Sequence, residues 1–322
     1  MTEITHSTVP AGGITMHIAE AGSGRPVILV HGFPELWYTW RRIIPIVADA
    51  GYHVVAPDMR GYGQTEAPEK LEDYDIAHLT NDLLGLLDEL GEEKAVFVGH
   101  DWGATVVWSL AQMHPDRVEA VVGMSVPFTP RPPMPMIDLM KAMSGDRFNY
   151  FVYFQERGRP EAELSRDLQH TFKAFMWSIS GEAPQGSAPR ADQPAEGTGI
   201  LDGRAEPPTL PEWLTQEDVD YFVAEFGRTG FTGALNWYRN LNRNWELMEP
   251  YGENHINMPS LFITGERDPV RRLLPEALME GWLGDLRDTL VLPGTGHWAE
   301  QERPAEVSAA ILGFLKELPP HS

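Results

Sequence analysis

The sequence predicts an α/β protein, a mostly parallel central sheet flanked by helices, with a helical insertion after the first third of the chain. Three observations carry that prediction. Short apolar runs, each ending in a Gly-containing turn, recur through the first third; helical periodicity separates them; and the strand signal vanishes between residues 129 and 257 before it returns. Continuous apolar runs are what strands covered by helices on both faces require. Strand, helix and strand in succession close as a right-handed crossover.

In chain order, the runs are Val27-Ile-Leu-Val30, Val54-Val-Ala56, Ala95-Val-Phe-Val98 and Ala120-Val-Val-Gly-Met124. Leu79, Leu83, Leu86, Leu87 and Leu90 fall at three- and four-residue spacings, an amphipathic helix leading into the third strand. A second helix follows Trp102. At Thr129-Pro-Arg-Pro-Pro-Met-Pro135 the prolines suit neither helix nor sheet. Residues 139–180 and 217–248 carry apolar side chains at helical spacing, whereas 181–212 are rich in Pro, Gly, Ala and acid, a loop composition expected to shape or gate a pocket. Leu261-Phe-Ile-Thr264, Thr289-Leu-Val-Leu292 and a helix from Pro304 to Leu318 resume the α/β rhythm. The expected organisation is a core of residues 1–128 and 258–322 interrupted by a helical cap, 129–257.

Composition narrows the function. The 322 residues, 42% apolar and 22% charged, describe a folded, water-soluble chain. Asp and Glu outnumber Lys and Arg by 47 to 25, a formal net charge of −22 that repels phosphate backbones and argues against nucleic acid as a partner. With no cysteine, thiolate nucleophiles, disulfides and cysteine metal sites are excluded together, and any nucleophile is an oxygen or a nitrogen. No window reaches the roughly 18 apolar residues of a membrane span, and the N-terminus lacks the basic and apolar regions of a signal peptide. A cytoplasmic setting without a membrane partner is the expectation; homo-oligomer formation stays open. There is no His-x-x-x-His spacing and no phosphate-binding glycine loop, so neither a metal nor another cofactor is expected.

The most informative stretch is Val96-Phe-Val-Gly-His-Asp-Trp-Gly-Ala104, an apolar strand running through Gly-x-x-x-Gly into a helix. This is the context of the nucleophile elbow, usually Gly-x-Ser-x-Gly, in which flanking glycines let the backbone turn sharply and expose the central side chain. Here the centre is Asp101. A carboxylate needs no base to deprotonate it at neutral pH and can attack an sp3 carbon directly, forming an alkyl ester. Taken alone, an Asp before a helix is more often an N-cap. Its partners change that balance: Asp268 in Gly265-Glu-Arg-Asp-Pro269 and His297 in Gly294-Thr-Gly-His-Trp298 each follow a predicted strand, and the chain order of nucleophile, acid and histidine is that of the α/β-hydrolase triad. A fourth element, His31-Gly-Phe-Pro34 after the first run, supplies an oxyanion donor at the Phe33 N–H to pair with that of Trp102.

These residues resemble the epoxide hydrolases of the α/β-hydrolase superfamily, the group that includes soluble epoxide hydrolase, over nearly the whole chain. The matching segments are His31-Gly-Phe-Pro-Glu-Leu-Trp-Tyr-Thr-Trp-Arg41, Asp58-Met-Arg-Gly-Tyr-Gly63, Gly99-His-Asp-Trp-Gly103, Gly265-Glu-Arg-Asp268 and Gly296-His297. The first three also occur in haloalkane dehalogenases, so the insertion decides. Tyr150-Phe-Val-Tyr-Phe-Gln-Glu156 is similar to the family's segment bearing a first cap tyrosine, placed here on Tyr153, and Leu235-Asn-Trp-Tyr-Arg-Asn240 to that bearing the second, Tyr238. In the family these phenols hold the epoxide oxygen, whereas dehalogenases hold a halide with Trp or Asn. A phenol of pKa near 10 suits the task, staying protonated at neutral pH and donating as the alkoxide forms. The resemblance also implies a cis Phe33–Pro34 bond.

The resemblance thus implies a cofactor-independent hydrolase of small-molecule epoxides. Asp101 attacks a ring carbon, Tyr153 and Tyr238 protonate the oxygen, and His297, oriented by Asp268, activates water against the ester. Phe33, Pro34, Trp37, Trp102 and Met134 are candidates for pocket lining, though such residues fill cores by default. Asp58 and Arg60 read as organisers of a loop, and His100 as facing into the fold. A dehalogenase using the same Asp101 ester and a non-catalytic ligand-binding protein are the rival readings. The missing Gly-x-Ser-x-Gly speaks against a serine esterase.

Overall fold

The computed structural model describes residues 2–184, 186–187 and 193–320. Eight strands, β1 Thr5–Ala11, β2 Ile14–Ala21, β3 Arg25–Val30, β4 Tyr52–Pro57, β5 Ala95–His100, β6 Val118–Met124, β7 Ile256–Gly265 and β8 Leu283–Leu292, form one sheet in the order β1-β2-β4-β3-β5-β6-β7-β8. β2 runs antiparallel to both β1 and β4, and every other neighbouring pair is parallel. β3 and β5 are buried along their whole length. Their two-residue alternation sends Ile28, Val30 and Phe97 into the core on one face and Val27, Leu29, Val96 and Val98 into the core on the other.

β1 and β2 precede the first predicted strand. Ala11 pairs with Ile14 across Gly12 and Gly13, whose positive φ values of 59° and 87° are what a two-residue hairpin turn demands. β1 is a largely exposed, polar edge strand containing Pro10, so neither an apolar run nor alternation announces it.

α1 Ile44–Asp49, α2 Ile76–Leu90 and α3 Trp102–Met113 pack on this sheet, α2 and α3 sharing one core and α1 the other. Asp75 caps α2, accepting from the His78 N–H at 3.0 Å, and Gly91, with φ 73°, ends it. Leu79, Leu83, Leu86 and Leu87 are fully buried, and each contributes about 1.5–3 kcal/mol through that burial.

Between β6 and β7 lie α4 Met136–Ser144, α5 Tyr150–Tyr153, α6 Arg159–Ser165, α7 Leu168–Ser178, α8 Gln216–Thr229, α9 Thr232–Arg239 and α10 Leu241–Leu247. The helical stretch expected over 217–248 comprises three helices, because Gly230 (φ 67°) ends α8 and Asn240 separates α9 from α10. Phe172, Phe222, Phe226 and Phe231 form a core inside the insertion, with ring centroids 4.8 to 6.2 Å apart. The insertion sits close on the sheet domain: a Cβ on Gly233 would lie 2.6 Å from the Gly61 carbonyl oxygen, and the Trp237 indole donates to the Arg60 carbonyl at 3.1 Å. Within the predicted loop 181–212, positions 185 and 188–192 fall outside the described residues.

β7 opens at Ile256, two residues before the expected return to the core; its pairing with β8 shifts register between Ile256 and Pro259, where the proline breaks up the apolar signal. α11 Val270–Leu273, α12 Ala299–Glu302 and α13 Pro304–Glu317 follow. β3 pairs with β4 on one side and β5 on the other, so the direction of travel across the sheet reverses there. Open α/β sheets bind ligands outside the C-terminal ends of their strands at such a switch point.

Candidate active site

Asp101 leaves the end of β5 with φ 51° and ψ −118°, a strained conformation for a residue with a side chain. The turn is possible because its neighbours are glycines. A Cβ on Gly99 would lie 2.3 Å from the Gly103 carbonyl oxygen, and one on Gly103 would lie 2.0 Å from that of Val30. The carboxylate is pinned asymmetrically. Oδ1 accepts from the Phe33 N–H at 2.9 Å, and the Trp102 N–H also bonds the carboxylate. Oδ2 faces His297, with Nε2 3.6 Å away. Burial pushes the Asp101 pKa up, opposed chiefly by His297 and His100. The Phe33–Pro34 bond is cis.

His297 Nδ1 lies 3.2 Å from Asp268 Oδ1, and the Asp268 carboxylate is fixed by the Val270 N–H at 2.9 Å. Burial alone would lower the His297 pKa; the Asp268 charge and hydrogen bond outweigh it and raise the pKa above 6.5. Ser125 completes the pair, its hydroxyl donating to Asp268 Oδ2 at 2.6 Å and lying 2.9 Å from His297 Nδ1. Its φ of 66° is the second positive value among described non-glycine residues, at the end of β6, which lies between β5 and β7. Ser125 escapes the sequence reading, although its position just after the run ending at Met124 was the available signal.

A second buried network ties the loops together. Glu35 Oε2 accepts from the Gly32 N–H at 2.8 Å and lies 2.8 Å from His100 Nδ1, while His100 Nε2 donates to the His297 carbonyl at 2.8 Å. Thr39 Oγ1 lies 2.7 Å from both Glu35 Oε1 and Glu300 Oε1. A hydroxyl has one proton to give, so one of those carboxyls must donate. Burial pushes the Glu300 carboxyl up, whereas the His100 charge and hydrogen bond hold Glu35 down despite its burial. Glu300 is therefore the proton carrier, Glu35 the anion and His100 its cation. The ligand atoms of Glu35, His100 and Glu300 lie within 4.8 Å of one another, the sole such cluster among the described residues; hydrogen bonds engage Glu35 and His100 fully and Glu300 through Oε1, while Glu300 Oε2 lies 3.6 Å from His100 Nε2. His100 faces into the fold, as the sequence suggested, with a structural task.

The insertion meets the histidine loop directly. The His297 N–H donates to the Ile179 carbonyl at 2.9 Å, the Arg267 guanidinium donates to the Gly181 carbonyl at 2.7 Å, and Glu302 Oε2 accepts from the N–H groups of both Gly181 and Gly296.

A cavity of about 260 Å³ opens over this chemistry, with Asp101, His297, Phe33, Tyr150, Tyr238 and Arg204 in its wall. Burial and the Asp101 charge push the pKa values of Tyr150 and Tyr238 far above the ordinary phenol range, so both remain proton donors. Tyr153, the expected first phenol, is elsewhere: its hydroxyl donates to Glu163 at 2.5 Å and Arg159 covers its ring. α5 presents two tyrosines one turn apart, and Asn149, which caps the helix through the Phe151 N–H, turns Tyr150 to the cavity. The matched segment contained both and did not distinguish them.

The other expected lining residues divide. Phe33 lines the cavity, whereas Pro34, Trp37, Trp102 and Met134 do not. Trp37 donates its indole N–H to Tyr221 at 2.8 Å, and Met134 is 39% exposed on the proline-rich surface segment. Trp102 packs edge-on against Tyr238, with centroids 5.1 Å apart, and its indole lines a separate cavity of about 130 Å³ beside α10. Asp58 bonds His17 and the Trp37 N–H, while Arg60 grips Asp82 through two nitrogens at 2.8 and 2.6 Å, both loop-organising contacts. Ile200 and Arg204, from the predicted loop 181–212, do reach the cavity wall.

Residues 25–304 match the α/β hydrolase fold family. The chain is 48% identical to epoxide hydrolase A of Mycobacterium tuberculosis over 98% of each chain, and 40% identical to epoxide hydrolase 2 of Siraitia grosvenorii, covering 98% of this chain and 100% of the other. The crystal structure of epoxide hydrolase A from Mycobacterium thermoresistibile superposes with a TM-score of 0.94 at 47% identity, covering 99% of this chain and all of that one.

Proposed function

This chain belongs to the epoxide hydrolases within the α/β hydrolase fold family, and from that premise we propose that Asp101 Oδ2 opens the epoxide while Tyr150 and Tyr238 protonate its oxygen. The observation that carries this reading is the asymmetric pinning of Asp101 beneath two phenols in one cavity. With Oδ1 held by N–H donors, Oδ2 is the free nucleophile, and attack on a ring carbon yields an alkyl ester whose carbonyl oxygen is Oδ1. That carbonyl then already occupies the oxyanion site. His297, oriented by Asp268 and Ser125, takes a proton from water; the hydroxide adds to Cγ, charge develops on Oδ1 against the Phe33 and Trp102 N–H groups, and as the adduct collapses the Cγ–Oδ2 bond breaks and His297 returns the proton to the departing oxygen, releasing the diol. No step in this scheme draws on a cofactor. The segment 129–257 acts as a cap that supplies both phenols, and the enzyme works on small-molecule epoxides in the cytoplasm. No described helix is long and apolar enough to cross a membrane.

The test is a panel of aromatic, aliphatic and disubstituted epoxides, assayed for diol, alongside chloro- and bromoalkanes assayed for halide. Diol formation abolished by Asp101→Asn supports the reading. Halide release without diol would overturn it in favour of the dehalogenase.

A further inference from the structure

Arg204 is a cation in the cavity wall for which the proposed reaction has no use. It is nine-tenths buried, and no carboxylate among the described residues lies within ion-pair distance of it. Its Nε donates to the Ile200 carbonyl at 2.8 Å and its Nη1 to the Ser178 hydroxyl, both neutral acceptors. Its Nη2 has no hydrogen-bond partner among the described residues. Glu163, whose charge acts on it, already accepts from the Tyr153 hydroxyl and the N–H groups of Ile200 and Leu201. Burial lowers the guanidinium pKa to about 9, which leaves it charged at neutral pH. A buried charge with no ion-pair partner among the described residues is expensive, and a ligand that brings one relieves that cost.

The surroundings specify that partner. The guanidinium stacks on Phe175 at 4.5 Å, an arrangement that holds its plane fixed and leaves its edge to a planar acceptor. Guanidinium edges match carboxylates with two parallel hydrogen bonds. Phe175 and Ile200 touch it, and Phe148 and Ile179 line the same cavity, so apolar surface suited to a hydrocarbon tether is at hand. At about 260 Å³ the cavity is below the roughly 300–1,000 Å³ of pockets that take drug-sized ligands, so the tether is short.

We propose that Arg204 is a carboxylate receptor in the cavity wall and that the preferred substrates are epoxides carrying a carboxylate on a short apolar tether. The proposal deepens the epoxide hydrolase reading and rests on it. The carboxylate docks on Arg204, the tether lies along Phe175 and Ile200, and the ring is delivered to Asp101 beneath Tyr150 and Tyr238.

The probes are an epoxyhexanoate with its ring at the far end and the matching amide. The wild type should favour the carboxylate by about 10- to 100-fold in kcat/KM, expressed in KM, the range of one hydrogen bond to a charged group. Arg204→Met should bring that ratio to about one, and Arg204→Lys should restore part of it. A wild-type ratio near one, or a ratio unchanged in Arg204→Met because both substrates slow together, overturns the proposal; the latter would assign Arg204 to Tyr150, on which its charge also acts. Calorimetric binding of hexanoate and hexanamide gives a readout without turnover. Hexanoate binding that disappears in Arg204→Met supports the receptor even if no epoxide is opened, in which case the epoxide reading alone fails. Equal binding of acid and amide overturns the receptor whatever the turnover.

Discussion

The hydroxyl of Ser125 lies 2.9 Å from Nδ1 of His297 while donating to Asp268 at 2.6 Å, so the acid and the base share a third, uncharged member. Ser125→Ala removes a hydrogen bond to a buried carboxylate. Asp268 would hold the imidazole less firmly, and hydrolysis of the ester should slow about tenfold, the lower range for such a bond, while alkylation keeps its rate. Rapid-quench measurement of the two half-reactions distinguishes these outcomes; equal slowing of both would remove Ser125 from the base.

As the proposed base, His297 should also set a pH dependence. The base works only as neutral imidazole, and its pKa is raised above 6.5, so ester hydrolysis should fall as pH drops through that raised value. Alkylation needs ionised Asp101, a form that a protonated His297 beside it favours despite burial, and should persist as the base is lost. Mildly acidic solution should therefore accumulate the ester in the wild type, and His297→Gln should accumulate it at every pH, as intact-protein mass spectrometry would show. In a single turnover in 18O-labelled water, the oxygen added to the first diol should be unlabelled, coming from Asp101.

The phenols separate the epoxide reading from its rivals. Tyr150→Phe or Tyr238→Phe should slow epoxide opening by about 10²-fold, within the range of acid–base assistance, and the double variant should not form the ester, since effects of groups acting together are not additive. Tyr153→Phe should leave alkylation within a factor of about two, its hydroxyl being occupied by Glu163. Stopped-flow tryptophan fluorescence, with Trp102 edge-on to Tyr238, would follow the step; alkylation by the double variant at the wild-type rate would make these tyrosines mere packing.

The two glutamates of the buried network should respond oppositely to the same substitution. Glu300→Gln replaces a protonated carboxyl by a neutral amide that still donates to Thr39 and should change stability by less than about 1 kcal/mol. Glu35→Gln strips His100 of its anion and should destabilise by about 3 kcal/mol, as breaking a buried pair does. Urea denaturation of both variants decides; equal losses would mean that the proton is not on Glu300.

The sheet core and the clustering of Asp101, Asp268 and His297 in the candidate site were legible because each sits where one local signal is strong. Asp101 stands between two glycines that no other residue could replace, and Asp268 and His297 follow apolar strands. The β1–β2 hairpin was hidden by the polarity of an edge strand. Tyr150 was hidden for a different reason: which of two tyrosines on one short helix reaches the cavity depends on how that helix packs, and Glu163, ten residues further on, claims the other. Ser125, Glu300 and Arg204 carry no motif, their significance arising from partners up to 261 residues away.

The seam where the His297 N–H meets the Ile179 carbonyl and Glu302 clasps Gly181 and Gly296 constrains how such proteins can be recombined. Grafting the helices between β6 and β7 from a relative would transplant new walls for the cavity, but it would also replace one side of the hydrogen bonds that position His297, the proposed general base. A chimera cut at the ends of the insertion inherits a foreign grip on its own histidine. One that carries residues 294–302 together with the donated helices keeps donor and acceptor from the same parent, so specificity could be exchanged without detuning the hydrolytic step.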